Sequence, residues 1–278
     1  VKPEVIAKAA RELFDHHLIG DITTRRVALA IPTYRTFTRA LQLPKLKTTS
    51  ELAAAVELEA EQYVSLPLDE LYLDYELIRK TEDSTELFVV AVPRNIVDSY
   101  LELSEILGLE AVMIEPTLGS SARLFQLDPQ SDVATVIIDF GSLSSDISIV
   151  DRHTLVTGTV QGGGANFTNA IKEKLHVTPA EAGLIKTRYG LGVSKKQPEI
   201  KAALQPTLDD IIKEIRRMIR YYEERYGTDR PIGQVVTLGG GANLPGLSDY
   251  FTQALRMAVR RTDPWQFINF KGLQPPSD

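Results

Sequence analysis

The sequence predicts an α/β protein built in two halves, and three observations support this. Apolar runs of strand length alternate with amphipathic helical periods along most of the chain. A strand–turn–strand hairpin, VATVIIDFGSLSSDISIV at 133–150, opens the second half. Two glycine-rich turns, at 162–164 and 239–241, each sit between a strand and a helix, the place where α/β sheets receive ligands.

The chain of 278 residues is long enough for one large or two medium domains. A net charge of −6 argues against a non-specific nucleic-acid binder. There is no cysteine, which excludes disulfides, thiolate catalysis and structural zinc, and allows a reducing compartment. No run of about 18 apolar residues is present to span a membrane, and no signal peptide is visible.

Residues 3–18, PEVIAKAARELFDHHL, place Val5, Ile6, Ala9, Ala10, Leu13 and Phe14 at helical spacing, and Pro3 suits a first turn. RVALAI at 26–31 reads as a buried strand ended by Pro32. A second strand at 36–43 puts Phe37, Leu41 and Leu43 on one face. Thr48-Thr49-Ser50-Glu51 matches a capping box and opens a helix to about Tyr63, with Leu52, Val56 and Tyr63 inward. Strands at 71–78 and 86–92 flank the charged turn 80–84, and a helix over 95–107 ends at Gly108. Residues 34–108 thus read as a β-α-β-β-α block compact enough to be a subdomain.

A short strand at 112–114 leads into Glu115-Pro116 and a helix over 117–127, and Asp128-Pro129 marks a boundary. Beyond the hairpin, 154–159 is a strand, 167–175 and 179–189 are helices, and 194–198 is a polar, basic loop. The longest helix, 207–226, turns Leu208, Ile211, Ile212, Ile215, Ile219 and Tyr222 inward. Its Arg216, Arg217, Arg220, Glu223 and Glu224 form a solvated face. A strand at 234–238 runs into Gly239-Gly240-Gly241-Ala242-Asn243, and a helix over 247–258 follows.

In the hairpin, Asp139 ends the first strand and Asp146 opens the second. Gly141 permits close approach of a ligand, and the N–H groups of Ser142 to Ser145 can form an anion nest. Asp139 is placed to hold Mg²⁺, through water. An ordinary hairpin whose aspartates shape the turn accounts for the same residues. Neither glycine turn fits a P-loop or a dinucleotide fingerprint. Glu115 can orient a water for attack on phosphate, or serve as an acid favoured in a first helical turn. Glu181 and Lys186 read as surface residues. His16, His17, His153 and His176 lack ligand spacing, and the glycosylation pattern Asn166-Phe167-Thr168 reads as chance.

The order of these motifs resembles the actin-like ATPase superfamily, with its ribonuclease H-like domains. Asp139-Phe140-Gly141 with Asp146 corresponds to its second phosphate motif and Glu115-Pro116 to its first connecting motif. LVTGTVQGGGANFTNAI is similar to a glycine turn near the cleft, and VVTLGGGANLPGL to the adenosine motif. Glu59–Ile78, EAEQYVSLPLDELYLDYELI, and TRALQLPKL at 38–46 resemble the inserted subdomain of the PilM family of type IV pilus assembly, related to FtsA.

The resemblance implies ATP and Mg²⁺ as ligands, with Asp139 on the metal, Gly141 and Ser142 near the phosphates, and Glu115 beside the hydrolytic water. It implies Gly162, Gly163 and Asn166 along the cleft, and Gly239, Gly240, Gly241 and Asn243 against the adenosine. Glu181 and Lys186 are weaker candidates for base or ribose. The implied architecture is a first actin-like domain from 1–33 and 109–129, an inserted subdomain at 34–108, and a second domain at 130–278 with a smaller subdomain near 186–230. The implied function is a cytoplasmic ATP-binding scaffold, peripheral to the inner membrane, that recruits the tail of a PilN-like protein. An FtsA-like division protein or a small-molecule kinase of the same superfold are the alternatives.

The family's opening phosphate hairpin, D-x-G-x-x-x-x-K, has no counterpart before the first helix of this sequence. Either the sequence is a fragment or half the phosphate clamp has been lost; for the sequence as it stands the expectation is ATP binding with weak or no hydrolysis.

Overall fold

The computed structural model describes residues 2–18, 23–126, 133–227, 230–263, 265, 269–270 and 274. The boundary read at Asp128-Pro129, and Leu127 at the end of its helix, lie outside the described residues, as does most of the tail from 267 to 278. Two compact units divide the chain, Val1–Ser120 and Ser121–Asp278.

In the first unit, α1 (Pro3–His16) is followed by β1 (Arg26–Ile31), which pairs in parallel with β5 (Glu110–Pro116). The helix expected over 3–18 forms, with Ala7 buried, whereas Val5, Ile6 and Leu13 of its apolar stripe are exposed. Between β1 and β5 the chain builds an antiparallel sheet of order β2-β4-β3, from β2 (Phe37–Pro44), β3 (Leu71–Lys80) and β4 (Ser84–Pro93).

α2 (Thr49–Tyr63) begins with the predicted capping box: the Thr48 hydroxyl accepts from the Glu51 N–H at 3.1 Å, and the Glu51 carboxylate accepts from the Thr48 N–H at 3.3 Å. Its Val56 buries against Leu41, Leu43, Leu87 and Val89, with Leu52 and Tyr63 at the margin. α3 (Arg94–Ile106) contributes Val97 to a second cluster with Ile31 and Val92.

The second unit is a five-stranded sheet of order β10-β9-β6-β7-β8. β6 (Ala134–Phe140), β7 (Ser144–Asp151) and β8 (His153–Gln161) form an antiparallel meander. β9 (Ile232–Leu238) joins β6 in parallel, and β10 (Val259–Arg261) extends the sheet beyond it. β6 is central, so its apolar run is buried on both faces rather than alternating. Ala122 of α4 (Thr117–Gln126) packs with Ile137, Val150, Val236 and Leu238 on one face. Elsewhere in the core, Phe140 meets Phe251 of α8 (Leu247–Leu255) edge-on, centroids 5.8 Å apart.

The hairpin turn is shorter than expected, because Ser144 and Ser145 already pair with Gln161 and Val160 in the β7–β8 ladder. α5 (Gly164–Leu175) starts three residues earlier than its apolar pattern indicates, and α6 (Pro179–Arg188) follows the reading closely. α7 runs Gln197–Tyr226 and passes through Pro206, which in sequence looks like a start signal. Ile200 and Leu204 are fully buried and continue the stripe of Leu208 and Ile211, so tertiary burial outweighs the lost backbone donor. Within that stripe Met218 is buried and Ile219 only half-buried.

Candidate functional site

The strand ends of the second unit organise the site. β6 delivers Phe140 and Gly141 at its carboxyl end, and the turn continues through Ser142. The Gly164 and Ala165 N–H groups of α5 donate to the carbonyls of Gly141 and Ser142, both at 2.9 Å. The Ser145 hydroxyl donates to the Gly162 carbonyl at 2.7 Å, which fastens the same two segments from the other side. The approach needs a residue without a side chain: a Cβ at Gly163 would lie 2.4 Å from the Gly141 carbonyl oxygen. The Asn166 side-chain oxygen accepts from the Gly163 N–H at 3.2 Å and completes the turn.

On the other flank, β9 ends at Gly239, whose φ is +82°. A Cβ there would lie 2.4 Å from Oδ1 of Asp139 and 2.6 Å from the Phe140 carbonyl oxygen, so glycine is required by both dihedral and space. A 3-10 turn, Gly240–Asn243, follows. At Gly240 an added Cβ would meet nothing within 4 Å. It faces open space.

These turns enclose one cavity of about 350 Å³. Of the residues predicted from sequence, Gly141, Ser142, Lys186, Gly240 and Gly241 line it. Gly164, from the glycine turn read at 162–164, lines it too, as do Phe140, Ala165 and Thr168, which were not predicted. Thr168 stands one turn beyond Gly164 and donates to its carbonyl at 3.0 Å, so a helix begun at Gly164 would have pointed to it. Lys186 reaches in from α6 and donates from Nζ to the Gly164 carbonyl at 2.9 Å. Burial holds its ammonium below the usual lysine range.

Other candidates stand elsewhere. Gly162 and Gly163 serve the packing of the turn, and the cavity wall passes through the two residues after them. Asp146 accepts at Oδ1 from the Thr159 hydroxyl of its cross-strand partner at 2.7 Å. Glu181 is exposed and accepts from both the N–H and the hydroxyl of Thr178 at 2.9 Å, a capping box that holds its carboxyl below the usual range. Asn243 accepts from Arg261, and both line a neighbouring cavity of about 270 Å³.

Asp139 accepts at Oδ2 from the Ser121 hydroxyl at 3.0 Å. Burial pushes its carboxyl above the usual range, and the Ser121 hydrogen bond pulls the other way. Among the described residues no cluster of three or more acidic or histidine side chains could cage a metal. A lone carboxylate fits a cation that keeps most of its water, as Mg²⁺ does.

In the first unit, Glu115 sits in β5 opposite Ala30 of β1, in a strand rather than a helical turn. Its Oε1 accepts from the Ser120 hydroxyl at 2.6 Å. It borders a cavity of about 510 Å³ in that unit, which also runs along Tyr72, Leu73, Asp74, Tyr75 and Glu76 of the edge strand β3.

The family described as type IV pilus assembly protein PilM matches residues 14–276. The chain belongs to that family. Membership makes it an actin-like protein of the pilus assembly platform. A solved PilM–PilN type IV pilus biogenesis complex superposes with a TM-score of 0.81 at 23% identity, covering 96% of this chain and 76% of that one. MreB5 of Spiroplasma citri bound to AMPPNP superposes with a TM-score of 0.58 at 14% identity, covering 94% of this chain and 71% of that one. Both likenesses fix the fold as the two-domain actin-like one. Among the described residues no helix is long and apolar enough to cross a membrane.

Proposed function

We propose that this member of the pilus assembly family binds ATP in its second unit and the cytoplasmic tail of a PilN-like protein on its first. One observation carries the nucleotide half: the hairpin turn, the start of α5 and the Gly240–Gly241 turn line a single cavity. Its volume of about 350 Å³ falls in the range of small-molecule sites, and its walls are largely backbone and small side chains. Gly141, Ser142 and Gly164 would lie against the polyphosphate and Gly240 and Gly241 against the nucleoside, with Asp139 holding the hydrated Mg²⁺ that supplies charge compensation. The related MreB5 structure contains AMPPNP, which supports the same class of ligand.

The tail half rests on the 510 Å³ cavity of the first unit. Five consecutive residues of β3 border it, and among the described residues β3 is an edge strand, the kind of position that strand addition uses. The PilM–PilN complex supports a PilN-type tail as the ligand. The platform would then hold this chain at the inner membrane through its partner.

Equilibrium titration tests both halves separately. Mg-ATP should bind saturably, and a PilN-type tail peptide should bind with an affinity that Tyr72→Ala lowers by roughly tenfold. No heat of binding with millimolar Mg-ATP removes the first half; no binding of the tail peptide removes the second.

A further inference from the structure

We propose that the loop 189–196, together with the outer face of α6, is a contact for an anionic lipid surface, made by this chain directly and without a partner protein. Val193 in this loop is 99% exposed, Leu184 on α6 is 69% exposed and Tyr189 between them 37%. One exposed apolar side chain is ordinary on a protein surface; a group of three is not. Glu181, Leu184 and Arg188 follow one another at helical spacing and share a face of α6. Lys196 acts on the Glu181 carboxylate electrostatically, so the end of the loop returns beside that face. The Tyr189 carbonyl accepts from the Gly192 N–H at 2.8 Å, which sets the tyrosine at the base of the same loop.

The loop is fastened. The Leu191 N–H donates to the Pro245 carbonyl at 2.7 Å, and the Gln197 side-chain amide donates to the Leu191 carbonyl at 2.7 Å. Gly190 has φ +46° and Gly246 φ +76°, and both are pressed against the opposite segment. A Cβ on Gly190 would lie 2.8 Å from the Pro245 carbonyl oxygen, and one on Gly246 2.8 Å from the Leu191 carbonyl carbon. Leu191 is buried as the anchor, and Val193, two residues on, is held out in water.

Charge indicates what the loop meets. Arg188, Lys195 and Lys196 are exposed around the apolar group, with Glu181 the acid among them. The chain as a whole carries −6, so the patch is opposite in sign to the molecule and turns it toward a negative surface. Apolar side chains flanked by lysine and arginine are the combination of an interfacial membrane contact, the apolar atoms entering the acyl boundary and the cations staying at the headgroups. Shape favours lipid over protein. A side chain as exposed as Val193 stands on a convex apex, which a deformable headgroup layer admits, whereas protein partners bind through well-packed pockets.

The test uses the chain alone with vesicles of phosphatidylcholine, or of phosphatidylcholine and phosphatidylglycerol in equal parts; without nucleotide or tail peptide, its outcome is independent of both readings above. Wild type should sediment with the anionic vesicles at low salt and stay in solution with the neutral ones. Val193→Glu should lower partitioning by roughly tenfold, and Lys195→Glu with Lys196→Glu by roughly tenfold or more, as should added salt. Circular dichroism and thermal midpoints establish that the variants are folded. The sequence has no cysteine, so Val193→Cys carries an environment-sensitive fluorophore in this loop alone. Its emission should shift to the blue on anionic vesicles, whereas the same label on Leu58→Cys, exposed on α2, should not respond. No sedimentation of wild type, equal binding to both vesicles, or binding untouched by the variants overturns the proposal. Capture of a glutamate-rich peptide without vesicle binding assigns the patch to an acidic protein and overturns it as well.

Discussion

Ser121 donates its hydroxyl hydrogen bond to Oδ2 of Asp139 at 3.0 Å, while Oδ1 of the same carboxylate faces Gly239 so closely that a Cβ there would come within 2.4 Å. Asp139 is thus oriented by one donor and one bare backbone. Burial dominates, and the carboxyl is pushed above its ordinary value of 3.8. A carboxylate held in this way is unfavourable for stability and suited to meeting a cation.

The sign of the pH dependence follows. With a folded-state pKa above the unfolded one, the folded chain binds more protons than the unfolded chain from pH 3.8 upward to the folded value. Stability from this group falls as pH rises through that window. Asp139→Asn keeps an acceptor for Ser121 and removes the charge. It should raise the urea midpoint at pH 7 and show no gain at pH 3.5. The same variant should lose the Mg²⁺ dependence of nucleotide affinity.

Two adjacent glycines should respond differently to the same substitution. Gly239→Ala must accept a φ of +82° and a contact with Asp139, and should destabilise by more than about 1 kcal/mol in urea unfolding. Gly240→Ala meets nothing within 4 Å and should leave stability within about 0.5 kcal/mol. Its added methyl projects where a ligand would lie, so ATP affinity should fall in Gly240→Ala.

Glu181→Ala should lower the thermal midpoint slightly, through loss of the α6 cap, and leave ATP affinity unchanged. A drop in ATP affinity at unchanged fold would instead make Glu181 a ligand contact.

Pro206→Ala restores a backbone donor inside α7 at an exposed position. Chemical denaturation should show stabilisation of about 1–3 kcal/mol, provided the helix already runs through this point. A loss of stability would mean that the proline stands in a turn.

That proline shows where the sequence is hardest to read. Local signals carried most elements: the hairpin strands, the capping box at Thr48 and the strand of 26–31 lie where the pattern puts them, although of that last strand, read as buried, only Ile31 is. Pro206 is a strong local breaker, and only the burial of Ile200 and Leu204 in three dimensions shows that it is overridden. β10 is three residues long at a sheet edge and has no pattern of its own. In the site, glycine turns after strands located Gly141, Gly240 and Gly241. Thr168 was lost with the misplaced start of α5, and no spacing rule connects Lys186 to a carbonyl 22 residues earlier. The apolar stripe of α1 is exposed at Val5, Ile6 and Leu13, because periodicity reports an apolar face and not what covers it.

The most direct measurement is a crystal structure of the chain with Mg²⁺ and AMPPNP. The triphosphate should lie along Gly141, Ser142 and Gly164, and the nucleoside against Gly240 and Gly241. Nucleotide density at any other place, or none at saturating ligand, would contradict the account.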